Sequence, residues 1–94
     1  VVIVSYKGKF AEAVALGNVP KGFPADLVRS AQRKLTMLNY AAALDDLRSP
    51  PGNRLERLHG DRSGQHSIRI NDQWRICFLW TEAGPRDVEI VDYH

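Results

Sequence analysis

Hydrophobic and polar positions change rhythm at Pro50–Pro51. Before that point apolar residues recur at mostly helical spacing; after it they alternate with polar ones. "VVIVSY" is β-branched and apolar, and predicts a short first strand. "KFAEAVALGN" predicts a short helix with Phe10, Ala13 and Val14 on one face, stopped by Gly17 and Asn18. "VPKGF" reads as a loop. A second helix begins near Pro24, a residue tolerated in a first turn, and Leu27, Ala31, Leu35 and Leu38 make its buried stripe. Arg29, Gln32 and Arg33 face solvent or a partner. "AAALDDL" extends this helix or forms a separate turn. "RSPPGN" ends it, because Pro50 and Pro51 cannot continue a helix.

Four further strands are expected in "RLERLHG", "QHSIRIN", "WRICFLW" and "DVEIVDYH", parted by "GDRSG", "NDQ" and "TEAGPR". Loops this short imply an antiparallel meander. The expected class is α+β: two N-terminal helices packed on one face of a mostly antiparallel, four- to five-stranded sheet. Residues 1–94 suit a single domain.

Alternation also fixes one register. Ile68 and Ile70 share a face of their strand, as do Trp74, Ile76, Phe78 and Trp80 of the next. A side-chain period of two makes these apolar sets coincide. A loop from Asn71 to Gln73 then pairs Ile70 with Trp74 and Ile68 with Ile76. Arg69 falls directly across from Arg75. Opposed like charges cost roughly 0.2–1 kcal/mol. Either carboxylates flank the pair, with Asp92 or Glu89 as candidates, or the face opposite the helices is an anion site. A guanidinium grips phosphate with two parallel hydrogen bonds.

Composition narrows the function classes. A hydrophobic share of 44% with 26% charged residues suits a globular chain, not a disordered one. The apolar runs are too short to span a bilayer, so no membrane role is expected. No charged segment followed by an apolar one opens the chain, so no secretory signal is expected. The one cysteine, Cys77, excludes an internal disulfide and fits a reducing cytoplasm. A net charge of +2 says little. Its distribution says more: from Arg54 to Arg75 there are five arginines and two histidines against three acids. Arginine in preference to lysine favours planar recognition of phosphate or carboxylate.

Asp92, Tyr93 and His94 set an acid, a phenol and an imidazole in a row beside an arginine-bearing sheet. Alternation puts Asp92 and His94 on one face and Tyr93 on the other. Histidine suits proton transfer near neutrality, an aromatic ring stacks on a base, and arginines stabilise charge at phosphorus. These are the parts for metal-free RNA cleavage by attack of a ribose 2′-hydroxyl on the adjacent phosphate. Cys77, His59, His66 and His94 lack recognisable zinc-ligand spacing, so no metal is expected. Cys77 sits mid-strand and reads as a core or near-core residue. No glycine-rich phosphate loop precedes a helix, and no cofactor is expected. Trp74 and Trp80 lie on the apolar face and read as core anchors.

"PPGNRLERLHGDRSGQHSIRINDQWRICFLW" followed by a terminal "VDYH" resembles the HigB-type toxins, also called plasmid maintenance killer proteins, of the RelE/ParE superfamily. "FPADLVRSAQRKLTMLNYAAALDDLRSPPGN" resembles their helical half. The resemblance implies a microbial-RNase-like RelE fold and a type II toxin–antitoxin role. It implies an endoribonuclease that enters the ribosomal 30S A site and cuts mRNA there. It also implies a HigA-like helix-turn-helix antitoxin as partner, with operator DNA contacted only through that antitoxin. Under it Asp92, Tyr93 and His94 carry activity and Arg75 binds the scissile phosphate. Arg69 joins them from the hairpin register; Arg57, His59 and Arg62 are the further RNA-binding candidates. His59 stands where such toxins often have a lysine before G-D-R, so it binds RNA more weakly than a fixed cation would, takes part in proton transfer, or is a neutral surface residue. ParE relatives share the architecture, poison DNA gyrase and cleave no RNA; that is the leading alternative, and a catalytically dead RNA- or antitoxin-binding module is the third reading.

Overall fold

The computed structural model describes residues 2–92. Two α-helices, α1 (Ala11–Ala15) and α2 (Val28–Tyr40), precede four strands: β1 (Glu56–Arg57), β2 (Gln65–Arg69), β3 (Trp74–Thr81) and β4 (Gly84–Asp92). The sheet is an antiparallel meander in the order β1-β2-β3-β4. The helices pack on one of its faces, as the change in hydrophobic rhythm predicts.

α1 is shorter than its sequence pattern. Gly17, at φ 86°, closes it: the Asn18 amide reaches back to the Ala13 carbonyl and the Gly17 amide to the Val14 carbonyl, each at 2.9 Å. Ala11 and Val14 are its buried residues, and Ala13 is only half-buried. α2 is entered through a 3₁₀ turn at Ala25–Leu27, with Pro24 still extended. Its stripe of Ala31, Leu35 and Leu38 is buried. "AAALDDL" is a separate 3₁₀ turn, Leu44–Arg48, because Ala41 turns extended and the Asp46 carboxylate accepts the Ala42 and Ala43 amides.

The first expected strand is a correction. Residues 4–7 run beside the outer edge of β4, yet they form only one parallel bridge, Tyr6 to Val88. Three backbone bonds hold them: Val4 amide to Pro85 carbonyl at 2.7 Å, Lys7 amide to Val88 carbonyl at 2.9 Å and Val88 amide to Ser5 carbonyl at 3.0 Å. Pro85 has no amide to return, and β4 is kinked beside Asp87, so a longer ladder cannot form. The kink is a register shift between Cys77 and Leu79, with Asp87 at φ 52°. Ser5 caps it, its hydroxyl accepting the Asp87 amide at 2.9 Å.

β1 is also shorter than "RLERLHG". Arg54 adopts the left-handed region, φ 45° and ψ 56°, after a 3₁₀ turn at Pro51–Asn53, and another 3₁₀ turn begins at Gly60. β4 in contrast begins three residues earlier than expected, at Gly84, which pairs with Thr81.

The core lies between the helices and the Trp74–Ile76–Phe78 face of β3. Leu38, Ile68, Ile76, Phe78 and Val88 are fully buried there. Trp74 stacks edge-on against Phe10 and Phe23, with ring centres 5.7 and 5.0 Å away. Trp80 is partly buried against the same cluster. Both tryptophans are therefore on the packed face, as alternation requires.

Candidate nucleic-acid interface

The hairpin register is the expected one. Ile68 pairs with Ile76 and Arg69 with Arg75, and the Ile70 amide bonds the Trp74 carbonyl at 2.9 Å. The Asn71 side chain fixes the turn by accepting the Gln73 and Trp74 amides at 2.9 and 2.8 Å. Because the isoleucines face the helices, the arginines face away from them.

Each arginine has its own carboxylate. Arg69 pairs with Asp72, in the hairpin loop. Arg75 Nη1 lies 3.9 Å from the Glu56 carboxylate. Of the two acids expected beside the pair, Glu89 is instead engaged by Arg62 at 3.1 Å. Asp92 stands across from Trp74, toward the packed face, and accepts from Gln73 Nε2 at 3.1 Å. Glu89 aligns with Cys77, two residues from Val91, the partner of Arg75, and so shares the arginines' face but lies nearer Arg62; Asp92 aligns with Trp74, one residue from Val91, on the other face.

Arg75 is 7% exposed, and its guanidinium is held in one orientation. Nε donates to the buried Ser67 hydroxyl at 2.8 Å, and Nη2 donates to the Arg54 carbonyl at 2.7 Å. That carbonyl is presented by the Pro51–Asn53 turn, which Asn53 pins from inside. Asn53 is fully buried; its Nδ2 donates to the Leu47 and Ser49 carbonyls at 3.1 and 3.4 Å. The Lys34 ammonium donates to its Oδ1. Burial, with the nearby Arg33 and Arg69 charges, pushes the Lys34 ammonium below its ordinary range. A chain of bonds thus runs from α2 through Lys34 and Asn53 to the Arg54 carbonyl and Arg75.

The remaining candidates are not all on this face. Arg62 bridges Gln65 and Glu89, both at 3.1 Å, over the buried Cys77. Burial foremost pushes the Cys77 thiol up, against the opposing pull of Arg62 and Arg75. That suits an inert packing residue. Arg57 is exposed on β1, across from His66 on the other face of the sheet. His59 is exposed at the entry to the Gly60–Arg62 turn. Tyr93 and His94 lie outside the described residues. Among the described residues no three His, Cys, Asp or Glu side chains gather as metal ligands would. No described helix is long and apolar enough to cross a membrane. An open groove of about 300 Å³, lined by Ala15, Gln32, Leu35, Thr36 and Asn39, belongs to the helical side and not to the arginines.

Sequence reasoning missed Glu56, Ser67, Asn53 and Lys34. Extending the period-two pairing one strand further sets Glu56 across from Ser67. The connection from Leu58 to Gly64 contains a 3₁₀ turn, however, and its length alone does not fix that register. The Asn53 contacts join the loop to residues of α2, and no local pattern reports them.

His66 gives a test of the sheet's packing. Its ring stacks on Phe78 with centres 6.4 Å apart, and its Nδ1 is buried without a described partner. Burial first, then the Arg57 and Arg48 charges, push its imidazole below the ordinary value of 6.5. The unfolded chain therefore takes up this proton at higher pH than the folded one. The stability due to neutral His66 is full above the unfolded value and is lost as pH falls through it. Urea midpoints should drop between about pH 8 and about pH 5, and His66→Phe should flatten that drop. An unchanged slope in the variant would exclude His66 as a source.

Comparison with known proteins places this geometry. A family model described as the RelE-like toxin of type II toxin-antitoxin system HigB matches residues 9–94. The Vibrio cholerae protein named Toxin HigB-1 is 46% identical over 60 residues, which cover 64% of this chain and 63% of that protein. An uncharacterised protein of Haemophilus influenzae is 37% identical over 64 residues, covering 68% of this chain and 63% of its own length. The match therefore spans less than two thirds of each of these two relatives. The Proteus vulgaris protein named Endoribonuclease HigB is 29% identical over 93 residues, 99% of this chain and 100% of that protein.

Proposed function

The chain belongs to the HigB-like family of RelE-like toxins from type II toxin–antitoxin systems, and from that premise we propose that it is a ribosome-dependent endoribonuclease. It enters the 30S A site, cuts the mRNA there and so stops translation in the cytoplasm. A HigA-like helix-turn-helix antitoxin holds it inactive, and operator DNA is reached only through that antitoxin. The observation that carries the reading is the oriented Arg75 guanidinium beside Arg69 on the face away from the helices. The similarity to a protein named as an endoribonuclease supports it.

In this reading Arg75 binds the scissile phosphate, and Arg69, Arg62 and His59 lie along the RNA; Arg57 is on the opposite face of the sheet and is not among them. Asp92, Tyr93 and His94 supply acid–base groups, so that the 2′-oxygen attacks phosphorus and the 5′-oxygen leaves with a proton. No metal or cofactor takes part. The ribosome supplies the alignment of the mRNA, a contribution worth about 7–11 kcal/mol in well-oriented reactions. Primer extension on mRNA from cells briefly expressing the protein tests this. Cuts inside codons that require ribosomes are expected. Uncut mRNA together with gyrase trapped on DNA would overturn the reading in favour of a gyrase poison.

A further inference from the structure

Asn53 is a fully buried amide at the end of a turn whose Pro51 and Gly52 are exposed. Its Nδ2 donates to the Leu47 and Ser49 carbonyls and lies 3.6 Å from Met37 Sδ, while its Oδ1 accepts from the Lys34 ammonium. One side chain thus ties α2 and the Leu44–Arg48 turn to the Pro51–Asn53 turn. The next residue, Arg54, takes the left-handed conformation at φ 45°, which a residue with a Cβ adopts only where its surroundings impose it. Gly52, which would adopt it freely, stands two positions earlier. The left-handed turn brings the Arg54 carbonyl to 2.7 Å from Arg75 Nη2.

Packing alone does not account for this arrangement. Arg33 and Arg69 crowd the Lys34 ammonium, and still it faces a neutral amide. What the contact secures is direction. With Oδ1 held by Lys34 and Nδ2 by two carbonyls, the amide cannot swing, and the carbonyl one residue on keeps its aim. A guanidinium grips phosphate through a planar fork, so the plane in which Arg75 is held decides whether two bonds form or one. Ser67 fixes that plane at Nε from β2, and the Arg54 carbonyl fixes it at Nη2 from the Pro51–Asn53 loop.

Resting on the ribonuclease reading above, we propose that Asn53 and Lys34 are positioning residues for the cleavage step, acting through the Arg54 carbonyl on the Arg75 guanidinium. Neither meets the RNA. Asn53 is enclosed, and the Lys34 ammonium is turned inward to it. Together they set the plane of the fork before RNA arrives, so the arginine need not be ordered as charge develops at phosphorus.

The test joins NMR spectra of the free protein to single-turnover cleavage of a defined mRNA on purified ribosomes at saturating toxin. It uses Lys34→Met and Asn53→Ala, each alone and combined with Arg75→Ala. The Arg75 Nη2 protons, assigned by their loss in Arg75→Lys, should be resolved in wild type and merge by rotation about the Cζ–Nη2 bond in either variant. Each variant should cut roughly 10–100-fold more slowly, with ribosome binding unchanged. Added to Arg75→Ala, neither should slow cleavage further, because its effect passes through the residue already removed. A structural defect would instead multiply with Arg75→Ala. Lys34 is only half-buried, so Lys34→Met carries the test if Asn53→Ala does not fold. Resolved Nη2 signals in the variants, or full additivity with Arg75→Ala, would overturn the inference. So would weaker and less salt-dependent ribosome binding by Lys34→Met, which would make Lys34 an RNA contact. If wild type cuts no mRNA on ribosomes, the ribonuclease reading falls and takes this role with it, while the Nη2 spectra still decide whether Lys34 and Asn53 hold the fork.

Discussion

Arg75→Ala is expected to lose mRNA cleavage by about 10²–10³-fold, the usual cost of removing one preorganised donor to a developing charge. It should also lose stability. Alternation alone puts Arg75 outside the apolar set, where truncation would spare the fold. Its 7% exposure changes that expectation. The Ser67 hydroxyl and the Arg54 carbonyl would lose their donor where water enters poorly, at about 1–3 kcal/mol. Arg75→Lys separates the two effects. An ammonium keeps the charge but cannot reproduce a planar fork reaching two acceptors at once. It should recover part of the stability and little of the cleavage. Urea denaturation and the ribosomal cleavage assay measure the two losses independently. A folded Arg75→Ala protein that cuts mRNA as wild type does would remove Arg75 from the site.

Trp74→Ala should be the most damaging change to the core. The indole is 5% exposed and packs against both Phe10 and Phe23. Removing such a ring costs about 3–5 kcal/mol, a large share of a total of about 5–15 kcal/mol. For a chain of this size each kcal/mol lowers the melting temperature by about 4–8 °C. Trp74→Phe should cost far less. The Trp74 Nε1 donor is buried with no partner among the described residues, so phenylalanine removes an unsatisfied group as well as some contact area. Melting curves of the two variants decide it. A Phe variant as unstable as the Ala variant would mean that the indole nitrogen has a partner after all.

Two neighbouring tryptophan-strand residues therefore report different things about the chain. Trp74 was legible as core because alternation needs only the sequence of one strand. Arg75 was legible as the residue facing the other way, for the same reason. Its anchoring was not, because hydrogen-bond partners of its guanidinium come from Ser67 and Arg54, and Arg54 precedes it by 21 residues.

The sequence by itself determined the α+β class, the buried stripe of α2 and the Arg69–Arg75 pairing. All three follow from a periodicity that a single helix or a single tight hairpin enforces through its own geometry. It misjudged the N-terminal residues, whose β-branched side chains resemble a strand although Val2 and Val4 stay exposed. Ladder formation there depends on the edge offered by β4, and that edge is interrupted by Pro85 and the kink at Asp87. The tertiary structure alone decided which groups meet at Arg75. Glu56, Ser67 and the Asn53-pinned turn reach it from separate segments. Their meeting depends on how a 3₁₀ turn and a left-handed residue redirect the chain, and side-chain alternation carries no record of either.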